Sequence, residues 1–188
     1  MYYKGEAHLL KSIQKLTDKE QLQTNLVQAS LFLTAFEVLK TSIVDQIRDF
    51  YSREIHPNGT SIASEKYKSD LLALHKNIFI ASCLWLKENN AISEEDIETI
   101  HAIRDHRNMI AHELLKFLAD ADYEVDLNLF AKTKDLLAKI DRWWIMEVHI
   151  PTNPDYDGQS IQPDDVKSGH MIVIDAIVEI LSKTSNSE

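Results

Sequence analysis

Hydrophobic residues recur every three or four positions along most of the chain, which is the spacing of one face of an α-helix. A short amphipathic helix is predicted over residues 5–16. A long helix is predicted from about residue 17 to residue 54, because Thr17 and Glu20 have the spacing of a capping box. Its apolar positions follow at three- and four-residue steps: Leu22, Leu26, Ala29, Phe32, Phe36, Leu39, Ile43, Ile47 and Phe50.

Three more helices are predicted after a loop at "HPNGTS", over residues 64–88, 94–119 and 127–147. Ser93, with Asp96 three residues further on, is predicted to cap the second of them. A Pro-rich loop follows, and then the segment "VKSGHMIVIDAIVEILSK", whose Ile and Val content would suit a strand but whose length favours a helix. We therefore expect one all-α domain over residues 1–183, an up-and-down bundle of about four to six helices with a Pro-rich loop before the C-terminal helix. Residues 184–188 are predicted to form a polar tail.

Composition agrees with this prediction and narrows the class of protein. The 188 residues are 44% hydrophobic and include only four Gly and four Pro, as expected of a helical globular protein. We expect a cytoplasmic protein without membrane segments, because no apolar run reaches the length of a membrane span and no signal peptide is recognisable. The single cysteine, Cys83, lies among apolar residues and is expected to be a buried structural thiol. The net charge of -10 disfavours a general nucleic-acid binder but leaves room for a small basic site.

The segment "RDHRNMIAHE", residues 104–113, is unusually polar for a helix that otherwise has a core-facing pattern. At about 100° per residue, the apolar residues of this helix fall within one arc of roughly 160° around its axis, which is the expected buried face. Arg107 falls near the middle of this arc and Arg104 inside its edge, while Asn108, His101 and His112 lie just beyond the edge. His106 lies towards the opposite side. The expected buried residues are Ile97, Ile100, Ile103, Ile110, Ala111, Leu114, Leu115, Phe117 and Leu118.

A guanidinium in the middle of an apolar arc needs a partner, because an isolated buried charge is costly. A structural ion pair would satisfy it, and so would the wall of a polar cleft beside the core. Arg107 and His112 are about 140° apart around the axis, so a straight helix does not place them on one stripe. A second copy of the helix, related by a two-fold axis, would supply the missing neighbour and form a composite site.

The residues "RNMIAH", 107–112, resemble the Arg-x4-6-His motif of HEPN domains. This resemblance implies a helical bundle that dimerises through the motif helices. It also implies a metal-independent endoribonuclease of the kind found in toxin–antitoxin, abortive-infection and CRISPR-type defence. By the same resemblance Arg107 and His112 would be the catalytic pair, and Asn108 would orient the site or the phosphate. Arg104 would supplement substrate binding or would pair with Asp105 or Glu113.

The residue types fit cleavage of RNA by its own 2′-OH. Histidine can transfer protons near neutral pH, and arginine can stabilise charge on the phosphate, so neither a metal nor another cofactor is expected. The expected partners are RNA, a second copy of the chain through the motif helix, and an antitoxin or regulatory protein. Some HEPN antitoxin pairings depend on a tyrosine where Leu114 stands, which puts that pairing in doubt. The alternative function is a noncatalytic HEPN-like module for interaction or nucleotide binding.

Two pairs on the same helix, His101 with Asp105 and Asn108 with His112, have a spacing that can hold a metal. No thiolate or Glu–His pattern accompanies them, so no metal site is expected.

Overall fold

The computed structural model describes residues 2–55, 61–63, 65–162 and 167–185. This part of the chain is mainly helical and forms a bundle, which confirms the all-α prediction. Its helices are α1 Tyr2–Thr17, α2 Lys19–Phe50, α3 Glu65–Tyr67, α4 Ile78–Glu88, α5 Glu94–His112, α6 Leu114–Ala119, α7 Leu127–Trp143, α8 Ile150–Thr152 and α9 Gly169–Ser185. Two π-helical segments, Lys68–Leu72 and Trp144–His149, and a 3-10 turn at Pro154–Tyr156 connect some of them.

Helix α2 is the centre of the bundle. It contacts α1, α4, α5, α6, α7 and α9. Most of the apolar positions expected on its inner face are buried, namely Ala29, Phe32, Phe36, Leu39, Ile43 and Ile47. Leu26 and Phe50 are exposed. By length and composition alone, α2 is long and apolar enough to cross a membrane. Of its most apolar stretch, 39% is buried inside the bundle.

The ends of α2 differ from the predicted ones. Asp18, not Thr17, caps the helix, since its side chain accepts hydrogen bonds from the backbone amides of Glu20 and Gln21. The helix ends at Phe50, four residues before the predicted end, because the chain then pairs as an antiparallel hairpin of β1 Ser52–Ile55 and β2 Ser61–Ala63. Most of the predicted "HPNGTS" loop, residues 56–60, lies outside the described residues.

Two of the predicted continuous helices are interrupted. The one expected over residues 64–88 consists of α3, a π-helical segment, a short loop and then α4, which Asn77 caps. The one expected over residues 94–119 begins as predicted, with the reciprocal capping box of Ser93 and Asp96. It breaks at Glu113, so α6 is a separate helix with its own orientation. At the C-terminus α9 extends through Ser185, two residues into the predicted tail, and residues 186–188 lie outside the described part.

Helix α1 turns its polar side towards the bundle. Lys15 is buried and donates hydrogen bonds to the backbone carbonyl oxygens of Asp120 and Tyr123, and burial lowers the pKa of its ammonium group despite nearby carboxylates. Ser12 accepts a hydrogen bond from the amide of Ala121. The large apolar side chains of α1 face solvent instead: Leu9, Leu10, Ile13 and Leu16. The amphipathic pattern of this helix therefore does not stabilise the core of one chain.

Candidate motif site on helix α5

The apolar face of α5 is anchored in the core as far as Ile110, whereas the two residues that follow it are exposed. Ile97, Ile100, Ile103 and Ile110 are buried, as predicted. Ala111 is exposed, although it was expected on the buried face. The candidate residues at positions 107–112 thus lie where the apolar face of α5 becomes surface.

The break at Glu113 changes the buried face beyond the motif. Phe117 is buried and Leu114 and Leu118 are half-buried, but Leu115 is 80% exposed. The prediction of Leu115 as a core residue was wrong because it extended the periodicity of α5 across the break. Met109, on the outer side of α5, is 47% exposed. Two large apolar side chains near the C-terminal end of the motif are therefore exposed, Met109 on the outer side of α5 and Leu115 on α6.

Arg107 is fixed in position by contacts with α2 and with its own neighbour. One guanidinium nitrogen, Nη2, lies 2.6 Å from Oε1 of Glu37, and the other, Nη1, lies 3.3 Å from Oδ1 of Asn108. The guanidinium carbon sits 5.4 Å from the centre of the Phe36 ring, a cation–π distance. The Arg107 side chain is 30% exposed and that of Glu37 is 46% exposed. The pair therefore lies at the rim of the core and not inside it.

Glu37 carries a second cation. Lys40, one turn further along α2, has its Nζ 3.2 Å from the other carboxylate oxygen of Glu37. Burial alone would raise the pKa of Glu37, but hydrogen bonds and charges from Lys40 and Arg107 outweigh this and hold the pKa below its ordinary value. The carboxylate is therefore ionised at neutral pH and neutralises only part of the charge of its two partners. Periodicity could not identify Glu37, because its functional neighbour comes from a helix 70 residues away.

The remaining candidate residues are more exposed. His112 is the last residue of α5 and is open to solvent. No hydrogen bond or ion pair connects it to Arg107 among the described residues, and the two lie about 7.5 Å apart along the helix axis by helical rise. Arg104 pairs with Asp105, at 3.0 Å between Nη2 and Oδ1, which is one of the two pairings expected for it. The structure joins Arg107 to Asn108 by a hydrogen bond, and among the described residues no hydrogen bond or ion pair joins Arg104 or His112 to either of them.

His106 was predicted to lie towards the opposite side of α5, but it lies at the edge of the buried face and has a structural role. Its Nε2 accepts a hydrogen bond from the backbone amide of Asp126 at 3.0 Å, and its ring packs edge-on against Phe32 and Phe117. Burial lowers the pKa of this imidazole, opposed by the charge of Asp126. The neutral ring therefore joins the loop before α7 to the core.

In the described part of the chain, the side chains of His8, Asp120 and Asp122 bring potential metal-binding atoms close together. His8 Nε2 lies 3.0 Å from a carboxylate oxygen of Asp120 and 3.4 Å from one of Asp122. The buried ammonium of Lys15 already lies against this turn. The group is accounted for as an exposed ion-pair cluster that fastens α1. Cys83 is 2% exposed, and burial raises the pKa of its thiol to about 12, which confirms the expectation of a buried structural thiol.

A scan against protein-family models, a search of curated proteins and a search of solved structures each gave no match for this chain.

Proposed function

We propose that the protein is a metal-independent endoribonuclease of HEPN type that acts as a cytoplasmic homodimer in a toxin–antitoxin or antiviral defence system. The proposal rests mainly on the position and exposure of the residues "RNMIAH", 107–112. They occupy the end of a core helix at the point where its apolar face is no longer covered, with a positioned arginine and an exposed histidine. A helix needed only for packing has no use for this arrangement.

Arg107 is suited to bind a phosphate that becomes more negative in the transition state. Glu37, Asn108 and the Phe36 ring fix its guanidinium, so little reorganisation is needed when the phosphate arrives. A guanidinium has five N–H donors, and the contacts with Glu37 and Asn108 occupy one each. Donors therefore remain for phosphate oxygens. Lys40 and Arg104 add positive charge nearby, which favours an anionic substrate at this place on an acidic protein.

His112 is the group assigned to proton transfer. Its side chain is solvent-exposed, so an incoming RNA strand can reach it. Removal of the proton from the 2′-OH allows that oxygen to attack the adjacent phosphate, and the leaving 5′-oxygen accepts a proton as its bond to phosphorus breaks. The products are a 2′,3′-cyclic phosphate and a free 5′-OH. Neither a metal nor an external nucleophile takes part, and DNA lacks the hydroxyl that attacks.

Dimerisation would complete the site. His112 and Arg107 lie on different stripes of α5, and a two-fold axis next to the motif would place His112 of one protomer near Arg107 of its partner. The exposed Ala111 and Leu115 beside the motif supply apolar surface for such an interface.

One observation favours the alternative, a noncatalytic module. Arg107 already has a carboxylate partner, Glu37, within its own chain. A guanidinium held only for structure would make this contact too. The two functions differ in the expected effect of removing Arg107: loss of a structural pair affects folding, whereas loss of a phosphate-binding arginine affects cleavage.

The test is an RNA cleavage assay in EDTA with wild type, His112→Ala and a control variant, His75→Ala, whose histidine lies in the loop before α4. Mixed single-stranded and structured RNAs are the substrates, and mass spectrometry identifies the product ends. We expect wild type and His75→Ala to leave 2′,3′-cyclic phosphate ends and His112→Ala to be inactive with unchanged circular dichroism. Cleavage by His112→Ala at the wild-type rate would overturn the assignment, and metal-dependent cleavage would overturn the mechanism.

A further inference from the structure

A second candidate binding site lies at the other end of α2. A cavity of about 570 Å³ opens between the last turns of α2, the π-helical segment Trp144–His149 and the first turn of α9. Its volume is within the range of small-molecule sites, roughly 300–1,000 Å³. π-Helical turns are rare and occur frequently at functional sites. The walls are mainly apolar or aromatic and include Phe50, Trp144, Val148 and Val173.

The cavity is separate from the motif. Gln46 in its wall and Glu37 beside Arg107 are nine residues apart on α2. Nine residues correspond to about 13.5 Å along the axis and to half a turn around it, so the two side chains leave opposite faces of the helix. Binding at the cavity and chemistry at the motif can therefore be tested independently.

A buried polar network supports the floor of the cavity. Asp141 is 2% exposed and accepts hydrogen bonds from the hydroxyl of Ser42 at 2.8 Å, from the amide Nε2 of Gln46 at 3.3 Å, and from the hydroxyl of Ser168. His170 approaches the same carboxylate, with 3.5 Å between its Nδ1 and Oδ1. These contacts fix the orientation of the Gln46 amide, because the end facing a carboxylate must be the donor.

Two buried polar atoms of the wall residues have no hydrogen-bond partner. They are Oε1 of Gln46, an acceptor, and Nε1 of Trp144, a donor. A buried polar group without a partner is costly, and most such groups in proteins are satisfied. Both atoms are closed off from solvent, so a ligand that offers one donor and one acceptor satisfies them only when the Gln46 and Trp144 side chains rotate towards the cavity. Aromatic rings of Phe50, Trp144 and His149 lie together in the same wall, with 5.8 Å between the centroids of Phe50 and Trp144, and favour a planar ligand.

The charges at the cavity select against anions. Asp49 is in its wall and Asp141 lies behind its floor, whereas its lining contains neither lysine nor arginine. The remaining titratable groups there are His149 and His170. A phosphate or carboxylate would find no fixed positive charge, and it would face two acidic residues.

We propose that this cavity binds a free, uncharged planar heteroaromatic molecule with adjacent hydrogen-bond donor and acceptor groups, of the size and chemistry of a nucleobase or nucleoside without phosphate. The ring lies against Phe50 and Val173, the large apolar side chains of the wall that are exposed, and its polar edge meets Gln46. The inference is independent of the proposed cleavage of RNA, since it concerns binding at another face of α2.

Isothermal titration calorimetry and thermal unfolding with adenosine, guanosine, cytidine and uridine test the proposal. The matching 5′-monophosphates and a short single-stranded RNA of mixed sequence are measured in parallel. We expect saturable binding of at least one nucleoside, and at least about tenfold weaker binding of its monophosphate. Absence of binding by all four nucleosides, equal or tighter binding of the monophosphates, or binding of the RNA alone would overturn the proposal.

Two variants on α9 locate the binding. Val173 is in the wall and 46% exposed, whereas its neighbour Ile172 is 60% exposed and outside the lining. Val173→Trp narrows the cavity and should weaken nucleoside binding at least about tenfold, while Ile172→Trp should leave it within about twofold. If Val173→Trp fails to fold, Phe50→Ala removes part of the half-exposed aromatic wall and should weaken binding similarly. Unchanged affinity in the folded wall variant would overturn the proposed location.

Discussion

The contact between Glu37 and Arg107 allows the two functions of the motif to be separated by measurement. The perturbation is a double-mutant cycle of Glu37→Gln, Arg107→Gln and the double variant. Glutamine keeps much of the volume of either side chain and removes its charge. The cycle yields the coupling free energy of the pair, free of the separate effects of each substitution.

The structure sets the expected size of this coupling. The distance of 2.6 Å between Nη2 and Oε1 indicates a strong charge-assisted hydrogen bond, but the side chains are 30% and 46% exposed. Solvent screening therefore places the pair close to the surface class, for which coupling energies are about 0.2–1 kcal/mol. A domain of this length changes its melting temperature by about 2–4 °C per kcal/mol. The coupling should thus correspond to no more than about 4 °C in melting temperature.

Activity should respond far more strongly. Loss of one preorganised charge-stabilising donor typically lowers kcat by about 10²–10³. We expect Arg107→Gln to lose at least about a hundredfold in cleavage rate, and Glu37→Gln to lose less, since the arginine remains but is less well positioned. Urea unfolding gives the stability of all four proteins, and a single-turnover RNA cleavage assay gives the rates.

The stability coupling should also depend on pH in a defined direction. The pKa of Glu37 is lowered in the folded protein, with burial opposing the contributions of Lys40 and Arg107. Its stabilising contribution is therefore present above the unfolded pKa of about 4.3 and is lost as the pH falls through the folded pKa. The coupling measured at pH 7 should disappear below that point. If instead Arg107→Gln costs about 3 kcal/mol or more in stability and wild type cuts no RNA, Arg107 is a structural arginine and the nuclease proposal fails.

Two further predictions concern the surface and the core. Leu115→Glu should dissociate the dimer that we propose, because it places a charge at an 80% exposed position beside the motif. The control Leu127→Glu, at a 46% exposed position on α7, should leave the dimer intact. Sedimentation velocity measures both, and a wild-type monomer or a dimeric Leu115→Glu protein would contradict the proposed interface. Cys83, with a thiol pKa raised to about 12 by burial, should resist alkylation at pH 8 in the folded protein and react in denaturant. Rapid alkylation of the native protein, followed by mass spectrometry, would show that the helix around Cys83 opens readily.

Local signals predicted the helices well wherever one face stays in contact with the core. The capping box of Ser93 and Asp96 begins α5 as expected, and the three- and four-residue apolar spacing of α2 identifies most of its buried positions. The prediction failed where a helix ends without a local sequence signal. Neither the break at Glu113 nor the hairpin after Phe50 has a strong turn residue at the point of interruption. Periodicity alone therefore continued both helices.

In the candidate site, too, local spacing predicted the position of a residue but not its partner. Spacing around α5 placed Arg107 on the inner face and showed that it needs a partner, and the structure supplies Glu37 from α2. The sequence offered no way to choose Glu37 among 30 acidic residues, because the pairing depends on how two helices cross. Likewise the buried carboxylate of Asp141 is held by Ser42 and Ser168, which are far from it in sequence.

The exposure of Ala111 connects the fold to the proposed assembly. The angular position of Ala111 is within the arc that Ile97 and Ile110 define, yet the residue is exposed. Helix α5 ends one residue later, and its geometry breaks at Glu113. This leaves an alanine, small enough for close approach of another helix, between an arginine that is held in place and a histidine that is open to solvent. A second α5 packed at this alanine would bury the uncovered face and bring the two side chains of the motif together across the two-fold axis.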